Sequence, residues 1–162
     1  MNRPERLACD LRRDLPVRER LAHLIPRKQQ EIERAVRLLR CCFEDRRKRS
    51  PKKGVLHRLM IVGEFARRSR GPDRETGQIN EYELWAFVDF PQYRGRNRHW
   101  GKARHALATE LAGRATVDLS VFTSDEVERW RDGGNRFLAE KFDRGLVLWE
   151  RSSNRQEAVD HD

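Results

Sequence analysis

The fold of this chain is decided by residues 56–89, which read LHRLMIVGEFARRSRGPDRETGQINEYELWAFVD. The apolar run at residues 59–62 predicts a buried strand that ends at Gly63. The segment that follows, GEFARRS, has the alanine and arginine content of a first helical turn, so the pattern predicts a strand, a tight turn and a helix N-terminus. Unpaired N–H groups at a helix start favour negative charge in front of them. The turn is therefore a candidate anion site.

Two carboxylates stand at the entrance to a second apolar segment, residues 82–88. Glu81 and Glu83 are two residues apart, so on a strand their side chains point to the same face. Both carboxylates can then reach one divalent ion. A solvated strand end would show the same residue pair, so its chemical meaning depends on its position between Gly63 and a third acidic residue.

That third acidic residue lies in a further predicted strand, residues 116–122. Val117, Leu119 and Val121 alternate with polar residues, which is typical of a strand with one buried face. Asp118 falls on the opposite face.

In this order, the motifs resemble those of the minimal nucleotidyltransferase family, which is related to the DNA polymerase beta superfamily. The family pattern is a strand, Gly-Ser-x-Ala-Arg-Gly, and later Ser-Asp-x-Asp-Leu at the start of the next strand. The resemblance extends over residues 26–150. The positions that match the family pattern are Gly63, Ala66, Arg67, Asn80, Glu81, Tyr82, Glu83 and Asp118.

The resemblance implies an α+β fold, a mixed β-sheet flanked by helices. It covers a nucleotidyltransferase-like domain at residues 26–150. Scattered leucines among many charges predict a loose N-terminal arm or short helix at residues 1–25, and the polar residues 151–162 predict a disordered tail. The resemblance implies transfer of a nucleoside monophosphate from a triphosphate, with ATP expected, to a hydroxyl of a protein or small molecule. Such transfer depends on magnesium ions (Mg²⁺) that bridge the phosphates.

The resemblance also assigns roles to individual residues. The catalytic and metal-binding residues are expected to be Glu81, Glu83 and Asp118. The nucleotide-binding residues are expected to be Gly63, Glu64, Arg67, Arg68 and Asn80.

Three substitutions separate the chain from the family pattern. Glu64 replaces a serine, Arg68 replaces a glycine, and both paired aspartates are glutamates. A carboxylate at Glu64 would oppose phosphates at the helix N-terminus, and the longer glutamates change the geometry offered to Mg²⁺. The alternative function is therefore a catalytically weakened binding module of the same fold. It would act as an antitoxin-like partner of a helical HEPN-type toxin, or bind nucleic acid.

Charge supports a polyanionic partner. The 162 residues include 35 Lys plus Arg against 26 Asp plus Glu, a net charge of +9, which favours nucleic acid or nucleoside triphosphates. Two basic runs stand out, RRKRSPKK at residues 46–53, an expected exposed loop, and PQYRGRNRHW at residues 91–100. Both runs could contact phosphates or bases; equally, the first could be only solvated, and the aromatics of the second could pack on the core rim.

The flanking segments predict helices and one more strand. A helix beginning at Pro26 is predicted from an apolar stripe at spacings of three and four, and residues 146–150 predict an edge strand. The three cysteines are expected to be reduced thiols. No apolar run reaches transmembrane length and the first residues are charged, so we expect a cytoplasmic protein without a membrane partner.

Overall fold

The computed structural model describes residues 17–49, 55–66, 80–89 and 98–151, with side chains for residues 17–44, 55–66, 81–89 and 100–151. The elements in chain order are α1 (Val17–Arg20), α2 (Pro26–Arg49), β1 (Leu56–Val62), a 3-10 turn (Glu64–Ala66), β2 (Asn80–Val88), α3 (Arg98–Glu110), β3 (Ala115–Thr123), α4 (Ser124–Arg129), a π-helical turn (Trp130–Gly134), α5 (Arg136–Arg144) and β4 (Leu146–Glu150).

The four strands form one mixed sheet in the order β3-β2-β1-β4. Strand β1 is antiparallel to β2 and to β4, whereas β2 and β3 are parallel. A parallel pair needs a crossover connection, and α3 lies in the connection between β2 and β3. The predicted α+β class, a mixed sheet flanked by helices, is confirmed, and β4 is an edge strand as predicted.

Each face of the sheet buries its own apolar layer, because successive side chains of a strand alternate between faces. The first face packs on α2 and α3, and its strand residues include Leu59, Ile61, Tyr82, Leu84, Ala86, Leu119 and Val121. The second face packs on α4, the π-helical turn and α5 through Met60, Val62, Trp85, Phe87, Val127 and Trp130. The odd-numbered residues of β2 therefore point to the α5 side.

Helix α2 begins at Pro26 as predicted, because proline suits the first helical position. Its stripe residues Ile32, Ala35, Val36 and Leu39 are fully buried. The helix continues to Arg49, so the predicted exposed loop from residue 46 is wrong for residues 46–49. Arginine and lysine are good helix formers, and no proline precedes Pro51 in this run; residues 50–54 lie outside the described residues.

The described end of the predicted N-terminal arm packs on the domain. Val17 and Leu21 are fully buried, and the Arg20 guanidinium donates a hydrogen bond to the Val147 carbonyl at 2.8 Å. This contact ties α1 to β4. Residues 1–16 lie outside the described residues.

Arg151, placed by the sequence in the tail, belongs to the domain instead. Its backbone N–H donates to the His57 carbonyl at 2.8 Å, and its Nε donates to the Leu56 carbonyl at 3.0 Å. A second guanidinium nitrogen pairs with Glu44 at 2.9 Å. Residues 152–162 lie outside the described residues.

Local sequence signals determine where α4 and α5 begin and where the backbone turns between them. The backbone N–H of Thr123 donates to Glu126 Oε2 at 2.8 Å, one half of a capping box at the start of α4. Gly133, inside the π-helical turn, has φ of +103°, which only glycine adopts readily, and it interrupts the helical backbone there. Asn135 caps α5 by accepting from the Leu138 N–H at 3.1 Å. Among the helices that the structure describes, each is too short or too polar to span a lipid bilayer.

Candidate functional site

Three carboxylates lie on one face of the sheet, near the end where β2 and β3 both begin. Glu83 and Asp118 are register partners in the parallel pair β2–β3, and such partners sit about 4.8 Å apart and point to the same face. Alternation places Glu81 on that face too, and both Glu81 and Asp118 are exposed. We call Glu81, Glu83 and Asp118 the acidic edge. The strand register thus makes Glu83 and Asp118 neighbours and places Glu81 on the same face.

Gly63 closes this edge at the end of β1. Its φ is +79°, and a Cβ atom at this position would lie 3.3 Å from Glu83 Oε2. Glycine is needed here both for the backbone conformation and for the close approach. The side chain that packs against the Gly63 turn is therefore the carboxylate of Glu83.

A lysine that the sequence interpretation missed occupies the acidic edge. Lys141 of α5 places its Nζ 2.6 Å from Glu83 Oε1, and both side chains are less than a third exposed, 23% for Lys141 and 28% for Glu83. The Lys141 ammonium also lies 6.0 Å from the centre of the Trp85 ring, within the range of a cation–π contact. The available signal was periodicity, since Lys141 stands three residues after Leu138 on the face of α5 that turns to the core.

The acidic edge as it stands does not fit a magnesium ion. One Glu83 oxygen is taken by Lys141, and the described residues contain no group of three Asp, Glu, His or Cys side chains placed to hold a metal. Magnesium needs near-octahedral oxygen ligands at about 2.1 Å. The role of Glu81, Glu83 and Asp118 as metal ligands stays a prediction.

The predicted nucleotide-binding turn is described only in part. Residues Glu64–Ala66 form a single 3-10 turn, closed by an N–H of Ala66 that donates to the Gly63 carbonyl at 3.3 Å. Glu64 is exposed. The residues described directly after Gly63, 64–66, form no α-helix. Arg67, Arg68 and the side chain of Asn80 lie outside the described residues, so their predicted contacts with phosphate stay predictions.

Phe65 anchors this turn to the hydrophobic core. Its ring packs edge-on against Tyr82 with centroids 4.8 Å apart. Its carbonyl oxygen lies 2.8 Å from His23 Nε2, a hydrogen bond in which the ring nitrogen is the donor. The turn is therefore held from the α2 side of the sheet.

A buried hydrogen-bond network lies on that side, behind the acidic edge. The Tyr82 hydroxyl donates to Glu31 Oε2 at 2.5 Å, and Arg27 Nε donates to Glu31 Oε1 at 3.3 Å. Glu31 is only 4% exposed. A buried carboxylate needs such donors, so Tyr82 holds Glu31 while its neighbours Glu81 and Glu83 face the other way.

Replacing Tyr82 with phenylalanine is expected to lower the free energy of unfolding by about 1–3 kcal/mol, because Glu31 would stay buried with one oxygen unsatisfied. Urea denaturation measures the change. A double-mutant cycle with Glu31→Gln is the control, and the two substitutions should couple rather than add. Strict additivity would show that the Tyr82–Glu31 hydrogen bond contributes nothing to stability.

Comparisons of the chain with models of known families, with curated proteins and with solved structures find no match.

Proposed function

We propose that this chain is a nucleotidyltransferase-type domain that acts by binding an anionic partner, nucleic acid, rather than by transfer. The observation that carries the proposal is the ion pair of Lys141 with Glu83. The Lys141 ammonium group is a positive charge beside Glu83, at the place where the resemblance implies a metal ion. It offsets the negative charge of the acidic edge without Mg²⁺.

Charge supports the choice of partner. The chain has a net charge of +9, and proteins that bind nucleic acid present such excess to phosphates. Within the described residues, the exposed guanidinium groups of Arg34 and Arg114 have no ion-pair or hydrogen-bond partner. Unpaired arginines on a basic domain are available to phosphate oxygens.

Binding to nucleic acid is testable by its salt dependence. Fluorescence anisotropy with a labelled single-stranded RNA and a labelled duplex DNA should show affinity that falls steeply as salt rises, since each phosphate contact adds to the slope. The absence of salt-sensitive binding to either probe would overturn this partner. A protein partner of the helical HEPN type would then be the remaining choice, tested by co-purification of the two proteins.

Nucleoside monophosphate transfer is a second candidate, favoured by the pairing of Glu83 with Asp118 beside Gly63. It requires Lys141 to leave Glu83. Incubation with ATP labelled in its α-phosphate, with Mg²⁺ and candidate acceptors, separates the two functions. Binding alone leaves no label on protein or small molecule, whereas incorporation that disappears in Asp118→Asn would assign the domain as a transferase.

Replacing Glu64 with serine, the family residue, is expected to tighten triphosphate binding several-fold. Glu64 is exposed, so the change should leave the fold intact while removing a negative charge from the turn after β1. Calorimetry with ATP and Mg²⁺ measures the affinity, and Glu128→Ser, an exposed glutamate on α4, is the matched control. Equal affinity of the wild type and Glu64→Ser would show that Glu64 does not obstruct the turn.

A further inference from the structure

A small cleft opens on the α2 side of the sheet, between that helix and the residue that precedes β3. Its volume is about 250 Å³, and it is lined by Arg27, Gln30, Glu31, Arg34 and Arg114. We call it the arginine cleft. Neither the acidic edge nor the motifs of the nucleotidyltransferase resemblance include its arginines.

The charges of the arginine cleft are not balanced. Three guanidinium groups face one carboxylate, and both Glu31 oxygens already accept hydrogen bonds, from Arg27 and from Tyr82. Arg34 and Arg114 have no partner among the residues that the structure describes. Arg34 and Arg114 are both exposed, so their guanidinium groups are accessible to an anion that enters the cleft.

In a second, larger cavity each arginine is paired with a carboxylate. It has a volume of about 500 Å³ and lies near the other edge of the sheet, between β1, α4 and α5. Each of its three arginines is paired: Arg58 with Glu150, Arg131 with Asp143 and Arg151 with Glu44. No unpaired cation there calls for an anion, so the larger cavity is not the better anion site.

We propose that the arginine cleft binds a phosphate group. Its volume lies below the about 300–1,000 Å³ of clefts that enclose drug-sized ligands, which fits a phosphate or diphosphate rather than a whole nucleotide. The planar guanidinium groups of Arg34 and Arg114 suit bidentate contacts with phosphate oxygens. The Gln30 amide can donate a further hydrogen bond.

The position of the cleft keeps this phosphate away from the carboxylates. Arg114 precedes Ala115, the first residue of β3, which pairs with Asn80 at the start of β2. The cleft therefore lies at the same end of the sheet as the acidic edge but on the opposite face, on the side to which Tyr82 points. Glu81, Glu83 and Asp118 do not face it, and among the described residues that line the cleft Glu31 is the only carboxylate.

The phosphate could belong to a free polyphosphate or to a nucleic-acid backbone, and only the second source rests on the proposed function. The first arm of the test is calorimetry with inorganic pyrophosphate at low salt. We expect Arg34→Gln and Arg114→Gln each to weaken binding by about tenfold, the usual effect of losing a charge-assisted hydrogen bond. Arg144→Gln, an exposed arginine of α5 outside both cavities, should bind as the wild type does.

Binding of pyrophosphate by Arg34→Gln and Arg114→Gln at wild-type affinity would overturn the proposal, as would no binding by the wild type. Thermal melts show whether the variants fold, and no loss is expected because neither arginine has a described partner. The second arm repeats the comparison with a single-stranded RNA. One outcome is that the wild type binds pyrophosphate but not RNA, and that pyrophosphate binding is lost in Arg34→Gln and Arg114→Gln. In that outcome the cleft takes a free polyphosphate and the proposed nucleic-acid function fails. If the wild type, Arg34→Gln and Arg114→Gln all bind RNA equally and all bind pyrophosphate equally, the cleft is not a phosphate site and the proposed function stands.

Discussion

Replacing Lys141 with methionine is expected to raise the affinity of this chain for Mg²⁺ and Mn²⁺ by about tenfold or more. The substitution frees Glu83 Oε1, which now lies 2.6 Å from the Lys141 ammonium, and removes a positive charge from the acidic edge. Two unit charges 4 Å apart near a protein surface interact by about 4 kcal/mol, and about 1.4 kcal/mol is a tenfold change in affinity. Methionine keeps the length of the side chain and packs well against an aromatic ring such as Trp85.

Calorimetry with each metal gives the affinity, and terbium luminescence excited through tryptophan gives a second reading that does not depend on activity. Lys102→Met, an exposed lysine of α3, is the control and should leave metal binding unchanged. Adding Glu83→Gln to Lys141→Met should abolish the gain, because the released carboxylate is the one that binds. If Lys141→Met binds metal no better than the wild type, the lysine is not what keeps the acidic edge free of metal.

The outcome also separates the two candidate functions. A gain in metal affinity without label transfer from ATP would mean that the substitutions in the turn after Gly63, and not only Lys141, prevent chemistry. Transfer that appears only in Lys141→Met would mean that the lysine alone holds the domain in its binding role. Transfer by the wild type would mean that ATP and metal displace Lys141 without help.

The strands could be predicted from the sequence because their signal is local. The apolar run of residues 59–62 and the alternation of residues 116–122 both reflect which side chains a strand must bury. The juxtaposition of Glu83 and Asp118 could be predicted too, but only through the family resemblance, since register between strands that are 35 residues apart is a tertiary property.

What the sequence did not predict depends on packing between distant elements. Lys141 reaches Glu83 across 58 positions, and Glu31 meets Tyr82 across 51. No periodicity within one segment specifies such partners; it only marks a charged residue on a buried face as one that must find a partner. The arginine cleft is of the same kind, because it combines about two turns of α2 with a single residue before β3.

Replacing Trp85 with alanine is expected to cost about 3–5 kcal/mol of unfolding free energy, the usual range for a buried tryptophan. Trp85 is 1% exposed and is central to the aromatic layer that holds α4 and α5 on the sheet. Its ring packs edge-on against Phe122 at 5.0 Å and Trp130 at 5.6 Å. Guanidinium denaturation measures the loss, and a thermal midpoint lower by about 10 °C would agree with it.

Trp149→Ala in the edge strand β4 is the matched control, and it should cost clearly less because Trp149 is only partly buried. A loss below about 1 kcal/mol for Trp85→Ala would show that the α5 layer does not depend on this ring.

The position of Trp85, two residues after Glu83 on the same face, gives the variant a second consequence. A loosened α5 carries Lys141 away from Glu83, so a folded Trp85→Ala should bind Mn²⁺ more tightly than the wild type and show faster hydrogen exchange in α5. Faster exchange without tighter metal binding would show that Lys141 alone does not control access to the acidic edge.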